Sequence, residues 1–267
     1  MLASISAKEK LFFVSFVGFA RHNRSVTVAT GAFLNALGIL LGAIFGLAQR
    51  APLPAHAQDF LRRALGAATV FFGLRLVWNN VNGTFWPCAK QIFIALLAVV
   101  LGNLAGKILR LQKISNRLGR FAGKLISSAQ SGKPRKADGF KACAILFCTA
   151  PLGILGAVTD GLSGDFYLLA VKAAMDALAM TGFVKIFGWP SALSAFPVFI
   201  FLGAITFAVR FYAQPFLDSH NLICSVDVAA GLVACAVALV IFEVRKVELA
   251  NYLPALAIAP LLAKLLA

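Results

Sequence analysis

A chain of 267 residues that is 60% hydrophobic and only 13% charged, with a mean hydropathy of +0.87, carries more apolar surface than a soluble core of that length can hold. Its apolar runs reach the ~20 residues that match a bilayer core, so a soluble domain is excluded. They run without polar alternation, so a membrane barrel is excluded as well. The formal net charge of +15 is gathered between these runs, where it acts as an orientation signal and argues against nucleic acid as a partner. The expected fold is all-α: a polytopic transmembrane helical bundle of about 7–8 spans, multi-pass in the bacterial cytoplasmic (inner) membrane.

Residues 1–29 read as an N-terminal extension ahead of a single transmembrane domain, 30–267. The run from Leu11 to Ala20 is too short to cross a bilayer, Arg21 follows at once, and no clean small-residue cleavage site comes after it. Either this segment is an interfacial extension or the true start lies near Val26 or Val28.

Eight candidate spans follow, at roughly 30–48, 64–80, 91–108, 140–158, 166–185, 192–211, 225–243 and 249–266. The first carries Gly31, Asn35, Gly38, Gly42 and Gly46 on one helical stripe, a smooth face against which another backbone can approach. Gly102 and Gly106 repeat the device in the third span, with Asn103 beside them. GAIFG and GNLAG hint at a duplication. Such stripes suit contacts within the chain or between copies, so a homo-oligomer stays open. Arg75 lies near the end of the second span, where snorkelling to the interface competes with a functional role. Asn79, Asn80 and Asn82 form a polar mouth there, flanked by Trp78 and Trp86 as interface anchors.

Residues 107–126 read as a basic amphipathic surface helix. Lys107, Arg110, Lys113, Arg117, Arg120 and Lys124 recur on one face, and Leu111, Ile114, Leu118, Phe121 and Leu125 on another. Each base near anionic lipid contributes about 1 kcal/mol, so the lipid bilayer is its expected partner. The polar stretch 127–138 then joins two halves, 30–126 and 139–267. The basic residues of this connection belong on the cytoplasmic side. Alternation puts Arg50, Arg62, Arg63, Lys185, Arg245 and Lys246 with them and leaves Lys90, Arg210 and Lys264 opposite, with both ends of the core outside.

The stretch GAVTDGLSGDFYLLAVKAAMDALA, residues 156–179, carries the strongest chemical signal. Asp160, Gly161, Gly164 and Asp165 form a glycine-rich turn into the fifth span. Lys172 and Asp176 lie four apart on one helical face, with Asp165 further back on the same stripe. At 1.5 Å per residue Lys172 sits roughly 10 Å and Asp176 about 15 Å below the start of that span. Two unpaired charges there would cost on the order of 5–7 kcal/mol even on the lenient insertion scale, so they must pair, neutralise or line a wet cavity. A structural ion pair is one account; an ion or solute pathway is the other. Pro151, Pro197 and Pro254 interrupt the fourth, sixth and eighth spans, and broken helices near the midplane are a transporter device.

Cys88, Cys143, Cys148, Cys224 and Cys235 form no CxxC pair and read as small apolar residues. His22, His56 and His220 are scattered, so no metal site is expected. Nucleotide, hydrolase and metalloprotease motifs do not occur, so no cofactor and no enzymatic activity are expected.

Four separated motifs, GAVTDGLSGDFYLLAVKAAMDALA, TGAFLNALGILLGAIFG, FPVFIFLGAIT (196–206) and NYLPALAIAPLL (251–262), occur in an order that resembles the bacterial membrane proteins grouped as domain of unknown function 554. The resemblance covers about residues 29–267 and implies a multi-span membrane fold with no established activity. Relatives often carry Gln-Gly where this chain has Leu202-Gly203. The family's shared pattern falls on Asn35, Asp160, Asp165, Lys172, Asp176, Asn251 and Pro254, none with a role to import. The functional expectation is a secondary transporter or channel for an ion or small polar solute. Asp176 and Lys172 would line the passage, Asp160 and Asp165 would guard its outer entrance, and Asn35 with Asn251 would be neutral ligands. The alternative is a non-transporting scaffold or regulatory protein acting through a partner.

Overall fold

Within hydrocarbon a backbone amide finds no water, so each apolar run must close its own hydrogen bonds and becomes a helix. The computed structural model describes residues 29–49, 53–81, 83–131, 136–245 and 247–266, and among these there are helices and turns but no strands. In chain order they are α1 (Thr30–Ala48), α2 (Ala55–Asn80), α3 (Phe85–Ile108), α4 (Leu111–Ser131), α5 (Lys136–Thr149), α6 (Pro151–Ser163), α7 (Tyr167–Phe187), α8 (Ala195–Ala208), α9 (Gln214–Ser219), α10 (Ile223–Ile241) and α11 (Ala255–Leu265). A 3₁₀ turn, Trp189–Ser194, leads into α8, and a second, Leu249–Tyr252, precedes α11; a π turn, Val209–Ala213, joins α8 to α9. The expected all-α membrane bundle is therefore the one observed.

Among the described residues, five helical stretches are long and apolar enough to cross a membrane, or six when α5 and α6 count as one bent span. The seven or eight expected spans are not all matched by this measure. The first turns of α2 hold Asp59, Arg62 and Arg63, which lower its apolar character, and the stretch Leu249–Leu265 is short and broken ahead of α11. Of the three expected proline breaks, Pro151 bends its span by 57° because it has no N–H for the carbonyl of Phe147. Pro254 separates the 3₁₀ turn from α11. Pro197 does not break its helix: it falls in the first turn of α8, where a proline lacks nothing.

The glycine stripes decide which helices meet. A Cβ at Gly38 would lie 2.6 Å from the carbonyl oxygen of Ala173, one at Gly42 would lie 2.2 Å from that of Ala177, and one at Gly46 would lie 2.8 Å from the Cα of Thr181. The residue numbers rise together, so α1 and α7 run parallel. Gly73 of α2 and Gly231 of α10 face each other, a Cβ on either lying within 3 Å of the other's carbonyl oxygen. Gly102 and Gly106 of α3 rest on Ala255 and Asn251, so α3 and α11 run antiparallel. Each long helix of the first half is thus paired with one of the second, and the stripes are occupied within the chain. The likeness of GAIFG to GNLAG is one of packing, because their partner helices run in opposite directions.

These pairings place the start of α1, the end of α2 and the α6–α7 and α9–α10 turns at one end of the bundle. Arg62, Arg63, Lys107, Lys141, Lys185 and Arg245 lie at the other, basic end with α4. The surface helix is shifted from its expected range: Lys107 belongs to the last turn of α3, Arg110 turns the chain with φ 56, and α4 begins at Leu111. Ala122, Leu125, Ile126 and Ala129 of α4 pack on Ala142, Ile145 and Phe187, while Ile114 and Phe121 stay exposed beside the bases. The stretch 127–138 read as a linker is helical at both ends, with 132–135 outside the described residues. The N-terminal extension also lies outside them, apart from Ala29.

Gly42→Ala should cost about 1–3 kcal/mol, since the new methyl meets backbone and the two helices must part. Gly182→Ala on α7 meets nothing within 4 Å and should be neutral or slightly stabilising, alanine being the better helix former by about 1 kcal/mol. Thermal unfolding in detergent checks the pair; equal effects would contradict the packing.

Candidate functional site

Among the described residues, two clusters of ionisable side chains lie within the bundle. The deeper one is built on α7, where Lys172 and Asp176 sit one turn apart with only 2% and 7% of their surfaces exposed. At the helical rise, Asp176 is about 14 Å below Tyr167, near the middle of a bilayer core. Lys172 Nζ pairs with Asp176 Oδ2. The same oxygen accepts a 3.0 Å hydrogen bond from Asn35 Nδ2 of α1. The close approach at Gly38 and Gly42 is what carries Asn35 to the carboxylate. Its amide must point this way, because a carbonyl cannot face Asp176. Asn35 Oδ1 is consequently left buried with no hydrogen-bond partner.

The lysine stem lies against the bend between α5 and α6. A Cβ at Gly153, in the first turn of α6, would stand 2.6 Å from Lys172 Cε, and Lys172 Nζ is 5.8 Å from the centre of the Phe147 ring. The ion pair therefore sits where the carbonyl of Phe147 has lost its helical donor to Pro151.

The second cluster occupies the α6–α7 end. Asp160 Oδ2 accepts the backbone N–H of Gly31 at 3.1 Å, supplying from another helix the cap that α1 lacks: Ala29 precedes it with φ 73 and no side-chain bond. Asp165, in the turn outside both helices, accepts the N–H of Tyr167 at 3.3 Å and lies 3.6 Å from Arg75 Nη1. Burial pushes its carboxyl up from the ordinary carboxylate range, and Arg75 and the Tyr167 N–H oppose that shift. The Arg75 guanidinium stands 4.2 Å over the Tyr167 ring, which stacks in turn on Phe72 and Phe166. Arg75 thus turns toward Asp165 rather than reaching freely for the interface.

The six pathway residues are not one constellation. Asn35, Lys172 and Asp176 meet; Asp160 and Asp165 lie together at the α6–α7 end. Asn251 is at the basic end and joins neither cluster: its Oδ1 accepts the N–H of Gln112 at 3.1 Å, its Nδ2 donates to Glu248 Oε2 at 2.7 Å, and its backbone lies under Gly106. It ties the turn before α11 to the start of α4, because α3 and α11 are antiparallel. Asp227 of α10 escaped the sequence reading altogether. It is fully buried, and a single acidic residue among apolar neighbours (SVDVAAG) was the available signal. No group of three His, Cys, Asp or Glu side chains that could hold a metal occurs among the described residues.

A cleft of about 260 Å³ opens at the basic end between α1, α2 and α7, lined by Gln49, Arg62, Met175, Thr181, Gly182 and Lys185 among others. A second, of about 360 Å³, is nearly all apolar and lies between α6, the π turn with α9, α10 and α11. Neither is lined by Lys172 or Asp176; the first reaches Met175, the neighbour of Asp176 in the chain.

Residues 30–264 match the family described as Protein of unknown function (DUF554). The chain is 28% identical over 233 residues to "Uncharacterized membrane protein YdfK" of Bacillus subtilis (strain 168), an overlap covering 86% of this chain and 93% of that one. It is 26% identical over 231 residues to "Uncharacterized protein YqgA" of Escherichia coli (strain K12), covering 86% and 94%. No solved structure matches.

Lys172→Met or Asp176→Leu alone should destabilise the bundle by about 3–5 kcal/mol, each leaving one buried charge unpaired. Lys172→Met with Asp176→Leu should cost less than either, as measured by thermal unfolding in detergent. A double variant as unstable as the sum of the singles would show that the two side chains are not coupled.

Proposed function

The chain belongs to the DUF554 family of proteins of unknown function, and on that footing we propose that it is a secondary transporter or channel for an ion or small polar solute in the bacterial cytoplasmic membrane. The membrane itself is plain from the apolar helices and from the name of the Bacillus relative. The basic end would face the cytoplasm, as the distribution of Lys and Arg directs.

The observation that carries the reading is the unfinished polar cluster at the helix break. Lys172 and Asp176 neutralise each other, yet the Asn35 carbonyl beside them has no donor. A buried acceptor without a partner costs about 1–3 kcal/mol, and intramembrane ionisable residues mark ion and substrate paths by default. The cluster lies between two helices packed glycine to backbone, α1 and α7, and a broken one, α5–α6. That is the arrangement in which half-helices bind solutes at mid-bilayer. The path is closed in this conformation; the cleft ending at Met175 would be its mouth on the basic side, and the Asp160–Asp165 end its mouth on the other.

Proteoliposomes exposed to steps of proton, sodium and potassium gradient at a clamped potential test this. Wild-type protein should give a solute-dependent current or flux. Asp176→Asn should reduce it at least tenfold, and Lys172→Met should alter its apparent affinity. Unchanged flux in both variants would remove these residues from the path.

A second reading rests on α4, whose Lys113, Arg117, Arg120 and Lys124 are exposed beside Ile114 and Phe121. A scaffold held on anionic lipid or a partner through this face would lose its function when Lys113, Arg117 and Arg120 are neutralised. It would tolerate Lys172→Met with Asp176→Leu. Flotation with vesicles containing or lacking anionic lipid separates the two sources of attachment.

A further inference from the structure

Asp227 takes no part in either cluster's bonding. It stands in the second turn of α10, about 6 Å below Ile223. Its exposure is 0%, and neither Oδ1 nor Oδ2 has a hydrogen-bond partner. Its chain neighbours Val226, Val228, Ala229 and Ala230 are buried apolar residues. An ionised carboxylate in such surroundings loses its hydration and gains nothing in return, a loss of several kcal/mol that a bundle of marginal stability does not carry unrelieved. Relief needs a bound cation. A metal ion would call for several further oxygen ligands around it, whereas a proton needs none.

The surroundings fit a proton. Among the described residues, the groups that act on Asp227 are the Ser163 hydroxyl at the end of α6 and the Asp165 carboxylate in the turn beyond it. Arg75 of α2 is engaged with Asp165. On the other helices packed against α10, Lys90 of α3, Asp218 of α9 and Lys264 of α11 are exposed, and Glu248 lies at the far end. Arg62 and Arg63 of α2 and Lys107 of α3 lie at the basic end, so no cation among the described residues neutralises Asp227. Ser163 is itself exposed, and its hydroxyl donates to Thr159 O at 3.0 Å, which leaves its lone pairs free to accept. Ser163 thus stands between the exposed α6–α7 end and the buried Asp227.

We propose that Asp227 is a proton-binding site, distinct from the Lys172–Asp176 pair and reached from the α6–α7 end through the Ser163 hydroxyl. In the conformation described here the carboxyl is the neutral acid. When it opens to water it releases its proton, and the resulting anion faces Asp165 across Ser163, which favours its recapture once the bundle closes. The site does not depend on the transport reading; should that reading hold, it nominates the proton as the coupling ion.

The test reads protonation, not flux. Infrared spectra of the full chain in lipid nanodiscs, taken against Asp227→Asn, should contain a carboxylic-acid carbonyl band that the variant loses and that shifts in heavy water. Dicyclohexylcarbodiimide, which reacts with the neutral acid, should label the Asp227 peptide, and the labelling should fall as pH rises. Ser163→Ala, an exposed and conservative change, should move the band of the acid, so the test survives even if Asp227→Asn fails to fold. An acid band that is absent, or indifferent to both substitutions, would overturn the proposal. So would labelling that sodium suppresses at constant pH, which would make this a metal-cation site.

Discussion

A lysine and an aspartate in mid-bilayer constrain everything around them. Neither can stand alone in hydrocarbon, so each holds the other, and the carboxylate takes a further hydrogen bond from Asn35 on a helix 141 positions away in the chain. That bond requires α1 to lie almost in contact with α7. Backbone can come that close only where side chains are missing, and the stripe Gly38, Gly42, Gly46 removes them. The electrostatics of one site and the packing of two helices are therefore one requirement seen from two sides.

The same logic extends outward. Gly153 leaves room for the lysine stem, so a glycine in a third helix is part of the ion pair's housing. Pro151 bends that helix beside it and withdraws a donor from Phe147. Asp160 returns the favour to α1 by capping Gly31 from α6. Helices from both halves of the chain are tied by polar contacts where they start or break and by glycine contacts along their length. The halves accordingly interleave, and the larger core clusters draw residues from both. A bundle assembled this way has closely packed helices and a polar point at which one of them is already broken.

Much of this could be read in advance. The spacing of Lys172 and Asp176 put both on one face, the glycine stripe announced a close neighbour, and the proline at 151 announced a break. Helical periodicity is local, so a single chain displays it. Four features escaped for the complementary reason. Asp227 has no periodic partner in α10 and reveals itself only when both its oxygens prove buried without a hydrogen-bond partner. Asn251 reads with Asn35 as a neutral ligand of the passage, yet it belongs to the turn at the basic end. Pro197 resembled Pro151, but it falls in a first helical turn and disturbs nothing. The start of α4 moved because Arg110 adopts a left-handed conformation that periodicity cannot register.

Composition and pattern alone establish a helical membrane protein, its bias of positive charge, and the presence of a charged pair that must find relief. These follow from the cost of water-loving groups in hydrocarbon, which each stretch of chain bears by itself. Which amide reaches the carboxylate, which carbonyl is left without a donor, and which acid is sealed away unpaired are properties of the assembled bundle. They depend on distances between helices remote in the chain, and those distances are set by how the glycine faces fit against one another.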